Sequence, residues 1–228
     1  ARQWQIAADV TTGPNYAGAV GTNGFTTPAN ATGSTETTCA GSNYGTTIVS
    51  GFWNTYGFAI PSGDTINGIQ VEVKWSDDGD PGLAGDHGVV IGKNETTLGV
   101  EKTPAAAPAV AACGASQTLT SFGGAADLWG TTWTPADINA TSFAVRIRKS
   151  ILGNEHGLFI NWIRVTVTHT AGGGGGPTVS GVKLNNNTAI TLTANTTTSI
   201  SATASTTGNP IYATSTIYRS LVTATSSC

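Results

Sequence analysis

Two indole side chains, Trp129 and Trp133, stand in the polar stretch DLWGTTWTPADIN, Asp127 to Asn139. Indoles in such a loop offer two kinds of chemistry. They can stack on sugar rings as a ligand-binding platform, or they can plug the end of a β-sandwich. The local sequence leans to the plug. Thr134 is a good N-cap and Pro135 suits the first helical position, so one helical turn should follow Trp133. A loop that crosses a sandwich mouth and then makes one turn needs bulk to bury, and one Trp supplies a few kcal/mol, roughly, from its apolar area.

The second constellation is acidic. WSDDGDPGLAGDHG carries Asp77, Asp78, Asp80 and Asp86, and clustered carboxylates on a sandwich loop can ligate Ca²⁺. Their spacing fits no EF-hand, and Gly79, Pro81 and Gly82 are ordinary turn chemistry, so a solvated hairpin is the simpler reading. Calcium is the one cofactor the chain suggests. Cys39 and Cys113 both sit in loops rich in Gly, Ala and Thr, and in an exported protein they should pair. Cys228, the last residue, is left for a contact between subunits. Asn30, Asn94, Asn139, Asn186 and Asn195 each open an Asn-X-Thr triplet, the acceptor pattern for N-linked glycans. For catalysis the chain offers no GxSxG, no HExxH and no phosphate-cradling loop. His87, His156 and His169 are far apart in sequence, and His169 is expected to be exposed beside a linker. Glu72, Glu95, Glu101, Glu155 and the aspartates could supply the two facing carboxylates a glycosidase needs, yet nothing in their spacing selects a pair. The expectation is no enzyme.

Composition narrows the partners. Only 10% of the 228 residues are charged and the formal net charge is −3, which argues against nucleic acid. The ten Lys and Arg are scattered, and no apolar run reaches the length of a membrane span. The chain contains no Met, even at position 1. An export signal removed ahead of Ala1 is the expected reason, which places the protein outside the cell, at a cell surface or on a virion.

The elements that must position these residues are strands. INGIQVEVKW puts Ile69, Val71, Val73 and Trp75 on one face against Gln70, Glu72 and Lys74, the alternation of a half-buried antiparallel strand. SFAVRIRK alternates likewise, with Phe143, Val145 and Ile147 inward and Arg146 and Arg148 outward. LFINWIRVTVTH starts apolar on both faces and then alternates. Weaker strands are expected at Gln3–Ala7, Thr46–Phe52, Tyr56–Ile60 and His87–Gly92. No helical stripe appears. The fold class read from this is all-β, an antiparallel sandwich of jelly-roll type. Five consecutive glycines and a proline, residues 171–177, form a linker. It separates a body of residues 1–170 from a C-terminal module of residues 178–228. That module should hold short strands near Val179–Leu184, Ala189–Thr193 and Thr198–Ala204, with one or two more among Ile211–Val222.

GFAIPSGDTINGIQVEV, DLWGTTWTPADIN, FAVRIRK and INWIRVTVTHT, in that order, resemble a β-sandwich module of phage tail-associated and exported bacterial surface proteins, over residues 1–170. The C-terminal segment resembles the opening strands of bacterial immunoglobulin-like repeats. The resemblance implies a particle or cell surface and no catalytic residues. The expected function is an exported structural subunit of a filament, envelope layer or virion appendage, a homo-oligomer that assembles through sheet edges. The alternative is an adhesive module that binds a surface glycan through its loop Trp residues, with calcium as an optional aid. About 50 residues are few for an immunoglobulin-like sandwich, so the C-terminal module is expected either to complete its core on an adjacent subunit or to continue beyond Cys228.

Overall fold

The computed structural model describes residues 9–41, 49–77, 84–114, 116–150 and 157–172, together with the backbone of three C-terminal strands. The chain forms two compact units, Ala1–Gly172 and Gly173–Cys228. In the first, β1 (Asp9–Tyr16), β2 (Ala19–Asn23), β3 (Ala40–Gly41), β4 (Val49–Asn54), β5 (Thr65–Asp77), β6 (His87–Gly92), β7 (Thr118–Gly124), β8 (Ala144–Lys149) and β9 (Leu158–Thr170) follow one another, with the short helix α1 (Pro135–Asn139) before β8. Odd-numbered strands form one sheet, ordered β1-β9-β5-β7 with β3 also on β9. Even-numbered strands form the other, ordered β2-β4-β8-β6. Every pairing in the two sheets is antiparallel. Each step along the chain therefore crosses between layers, as in a jelly roll.

The alternation read in the sequence is what closes the two layers. Ile69, Val71, Val73 and Trp75 of β5, with Ile163, Val165 and Val167 of β9, are fully buried. They share one core with Val89 and Ile91 of β6, Val145 and Ile147 of β8, and Trp53 of β4. The mixed start of β9 has a local cause. The β5–β9 register shifts between Lys74 and Trp75, whose partners are Trp162 and Ile160, so Asn161 is an extra residue and the alternation restarts after it. Asn161 spends its amide on the Thr38 carbonyl at 3.2 Å.

Of the weaker strands expected, one lies outside the described residues and one needs correction. Gln3–Ala7 lies outside the described residues, and the first described strand is Asp9–Tyr16. Tyr56–Ile60 is not a strand: Thr55 and Gly57 have φ of 60° and 68°, which breaks extended backbone while Tyr56, Phe58 and Ile60 still point into the core. β2 and β7 went unread, because their Gly and Thr content gives little apolar contrast. In the second unit, β10 (Ile190–Thr193), β11 (Tyr212–Tyr218) and β12 (Leu221–Ser227) form an antiparallel sheet ordered β10-β12-β11. Val179–Leu184, Thr198–Ala204 and Cys228 lie outside the described residues.

Candidate functional site

The loop from Asp127 to Asn139 is a plug. Trp129 is fully buried and Trp133 nearly so. The Trp129 indole N–H donates to the Ile69 carbonyl at 2.9 Å and that of Trp133 to the Leu128 carbonyl at 2.9 Å. Trp129 has φ of 56°, followed by Gly130 at 69°, and this left-handed pair turns the indole inward. Gly123, at φ 71°, gives it room, since a Cβ there would collide with the Ile69 carbonyl and the Trp129 indole nitrogen. Trp133 packs edge-on against Phe143, with centroids 5.6 Å apart. Lys102 Nζ lies 5.0 Å from the Trp129 ring centroid while pairing with Asp127 at 2.7 Å. The helical turn follows as read: Thr134 and Asp137 form a capping box with Pro135 in the first turn. Neither indole offers a face on which a sugar could stack, so the ligand-binding alternative loses both of its residues.

The acidic segment is also not what its composition suggests. Asp77 is fully buried and Asp86 is 3% exposed, so neither is a solvated turn carboxylate. Asp78 and Asp80 lie outside the described residues. Asp77 Oδ2 and His87 Nε2 approach to 3.6 Å, joining the end of β5 to the start of β6 across the two layers. Lys149, Ser150, Ser76 and Gln117 are buried at the same end of the sandwich. Gln117 donates to the Ser76 hydroxyl at 2.9 Å and to the Phe159 carbonyl at 3.1 Å. Beside them Cys39 and Cys113 form a disulfide with Cα atoms 5.9 Å apart. No group of three or more metal-ligating side chains converges among the described residues.

His169 is buried, not exposed. Its ring nitrogens contact Asp64 Oδ2 at 2.7 Å and Thr12 Oγ1 at 2.8 Å, and Asp64 also accepts the Gly172 N–H at 3.0 Å. This clasp ties β1, the β4–β5 connection and the end of β9 together. The carboxylates considered for hydrolysis are engaged elsewhere. Glu72 pairs with Arg164 at 2.8 Å, and Glu101 with Arg146 and Arg148 at 2.8 and 2.7 Å. Glu95 accepts the Thr22 N–H at 2.9 Å, while Glu155 lies outside the described residues. Burial pushes the Glu101 carboxyl up, but the Arg148 and Arg146 guanidiniums outweigh it and hold it below its ordinary range.

The feature that remains open is a sheet edge. An unpaired strand edge is a template for another chain, and proteins usually blunt it. The β1 edge carries Asp9, Pro14 and a register shift between Thr12 and Asn15. β2 has a register shift between Val20 and Asn23, and the Glu95 carboxylate takes up one of its amides. The outer edge of β6 is occupied by the following segment: Val89 and Lys102 exchange both backbone bonds at 2.8 Å, and Gly99 donates to Ile91 at 2.9 Å. β3 is bridged to Thr26. β7 is the exception. Its sequence, TLTSFGG, has no charge, no Pro and no register shift against β5. Among the described residues no strand pairs with its far side, and Leu119 stands 50% exposed on it.

No family model matches the chain, and no curated protein matches it. Among solved structures, chitosan-binding module 1 from a chitosanase/glucanase of Paenibacillus sp. IK-5 is similar at 14% identity, over 70% of this chain and 93% of that one. The TM-score is 0.34, a likeness too slight to carry a ligand assignment.

Proposed function

We propose that the protein is an extracellular structural subunit that assembles with copies of itself through the open edge of its five-stranded sheet. One observation supports the reading: among the described residues β7 has no charge, no Pro, no register shift against β5 and no strand on its far side, and Leu119 is half exposed on it. A second copy is the occupant that a low-charge edge suits, because a neutral strand neither repels its twin nor selects a charged partner. The C-terminal sheet has edges of its own, β10 and β11, among the described residues. Each chain thus offers more than one edge, and growth past a dimer can follow. The disulfide fits an oxidising compartment, and among the described residues no helix is long and apolar enough to cross a membrane. The plugged loop and the ion-paired carboxylates favour a scaffold over an enzyme.

The test is a sedimentation series over concentration. The native chain should shift from monomer to larger species as concentration rises. A variant with Leu119→Lys and Ser121→Lys, both outward positions on β7, should stay monomeric. Its stability should lie within about 0.5 kcal/mol of the native value, as for surface changes generally. A double variant that assembles like the native chain would rule out this edge.

A further inference from the structure

Asn30, Asn94 and Asn139 share one acceptor motif, but the fold treats their side chains differently. At Asn139 the amide is clamped. Its Nδ2 donates to the Ile60 carbonyl at 2.8 Å, and its Oδ1 accepts the Ile60 N–H at 2.9 Å. A two-bond pair of this kind uses the Nδ2 hydrogen on the same side as Oδ1. A sugar attached to Nδ2 takes that same position, because a secondary amide is trans and its substituent lies on the oxygen side. Modification of Asn139 therefore displaces the bond that holds the 55–60 segment to α1. Asn30 is half-buried in a short 3-10 turn, where its Nδ2 donates to the Cys39 carbonyl at 3.1 Å. The hydroxyl of its own triplet, Thr32, is turned to Ala29.

Asn94 is arranged the other way. It is exposed after β6, and its structural bonds all fall on oxygen. Oδ1 accepts the Thr96 N–H at 2.8 Å, the Thr96 hydroxyl at 2.8 Å and the Thr97 N–H at 2.7 Å. Three donors on the amide oxygen draw density from the nitrogen and make its protons easier to lose. Adding a substituent at Nδ2 removes none of those bonds.

We infer that Asn94 is the N-glycan acceptor of the first unit, and that the fold withholds Asn30 and Asn139. The donor class is a sugar activated as a phosphate or pyrophosphate ester. Nδ2 bonds to the anomeric carbon, the anomeric C–O bond to phosphate breaks, the phosphate leaves with the electron pair, and the amide proton passes to a base of the transferase. The inference rests on the extracellular reading above for where such a transferase is met. The acceptor lies in the bend that follows β6, not on β7, so a glycan there is compatible with edge assembly.

Two experiments decide it. Peptide mapping of protein isolated from its native source should find a sugar adduct on the Asn94 peptide and none on Asn30 or Asn139. In the second, folded protein is incubated with UDP-glucose and a soluble N-glucosyltransferase that modifies Asn-X-Thr. Within the first unit one hexose should be added, at Asn94, and that addition should vanish in Asn94→Gln. Urea-unfolded protein should be modified at Asn30 and Asn139 as well. An unmodified Asn94 in native material, or equal modification of Asn139 in the folded chain, overturns the inference. Neither result touches edge assembly, which the sedimentation series reads separately.

Discussion

At the residue scale, burial decides what each polar group can do. Tyr56 is 4% exposed and its hydroxyl has no hydrogen-bond partner among the described residues. Burial pushes its pKa well above the ordinary tyrosine range. A buried hydroxyl without a partner costs about 1–3 kcal/mol. Tyr56→Phe should therefore leave stability unchanged or raise it by up to about 1 kcal/mol, with the ring contacts to Phe58 and Phe143 kept. Urea denaturation checks this, and a loss above about 1 kcal/mol would mean the hydroxyl has a partner. Some residues declared their state in sequence. Trp129 and Trp133 are bulky side chains beside a capping signal, and the plug was readable from that alone. Asp77, Asp86 and His169 did not. Carboxylates and imidazoles are solvated by default, and only long-range partners such as Asp64, 105 residues away from His169, overrule the default.

At the element scale, strands with strong alternation were legible and strands without it were not. β5, β8 and β9 carry Val and Ile on one face and charges on the other. Those charges meet across the strands as ion pairs, such as Glu72 with Arg164 on β9. β7 has one core side chain, Phe122, and two glycines, so nothing in TLTSFGG marks it as an edge; only the pairing order does. Ion pairing on the even-stranded sheet gives a pH prediction. A carboxylate whose folded pKa is depressed adds stability above its unfolded value, and that stability is lost as pH falls through the folded value. For Glu101 the loss starts near its ordinary value of 4.5 and continues below it. Urea melts from neutral to acid pH should show Glu101→Gln with a shallower decline below that point than the native chain. Parallel curves would mean the Arg146 and Arg148 contacts contribute nothing to stability.

At the scale of the whole molecule, two units of very different size share one chain. The first holds both layers of the sandwich and a disulfide closing a separation of 74 residues, worth about 4 kcal/mol in the chain-entropy model. Residues 1–172 alone should fold, with a near-UV circular dichroism spectrum matching that of the full chain in its tryptophan bands. A flat spectrum would show that the first unit depends on the second. If the protein assembles as proposed, the β7 backbone of the first unit carries the signature. Hydrogen–deuterium exchange of the Thr118–Gly124 amides, compared between dilute monomer and the assembled state, tests it most directly. Alternate amides of β7 should exchange quickly in the monomer and become protected on assembly, while those of β1 stay as they were. Assemblies in which β7 exchanges as fast as in the monomer would contradict the account.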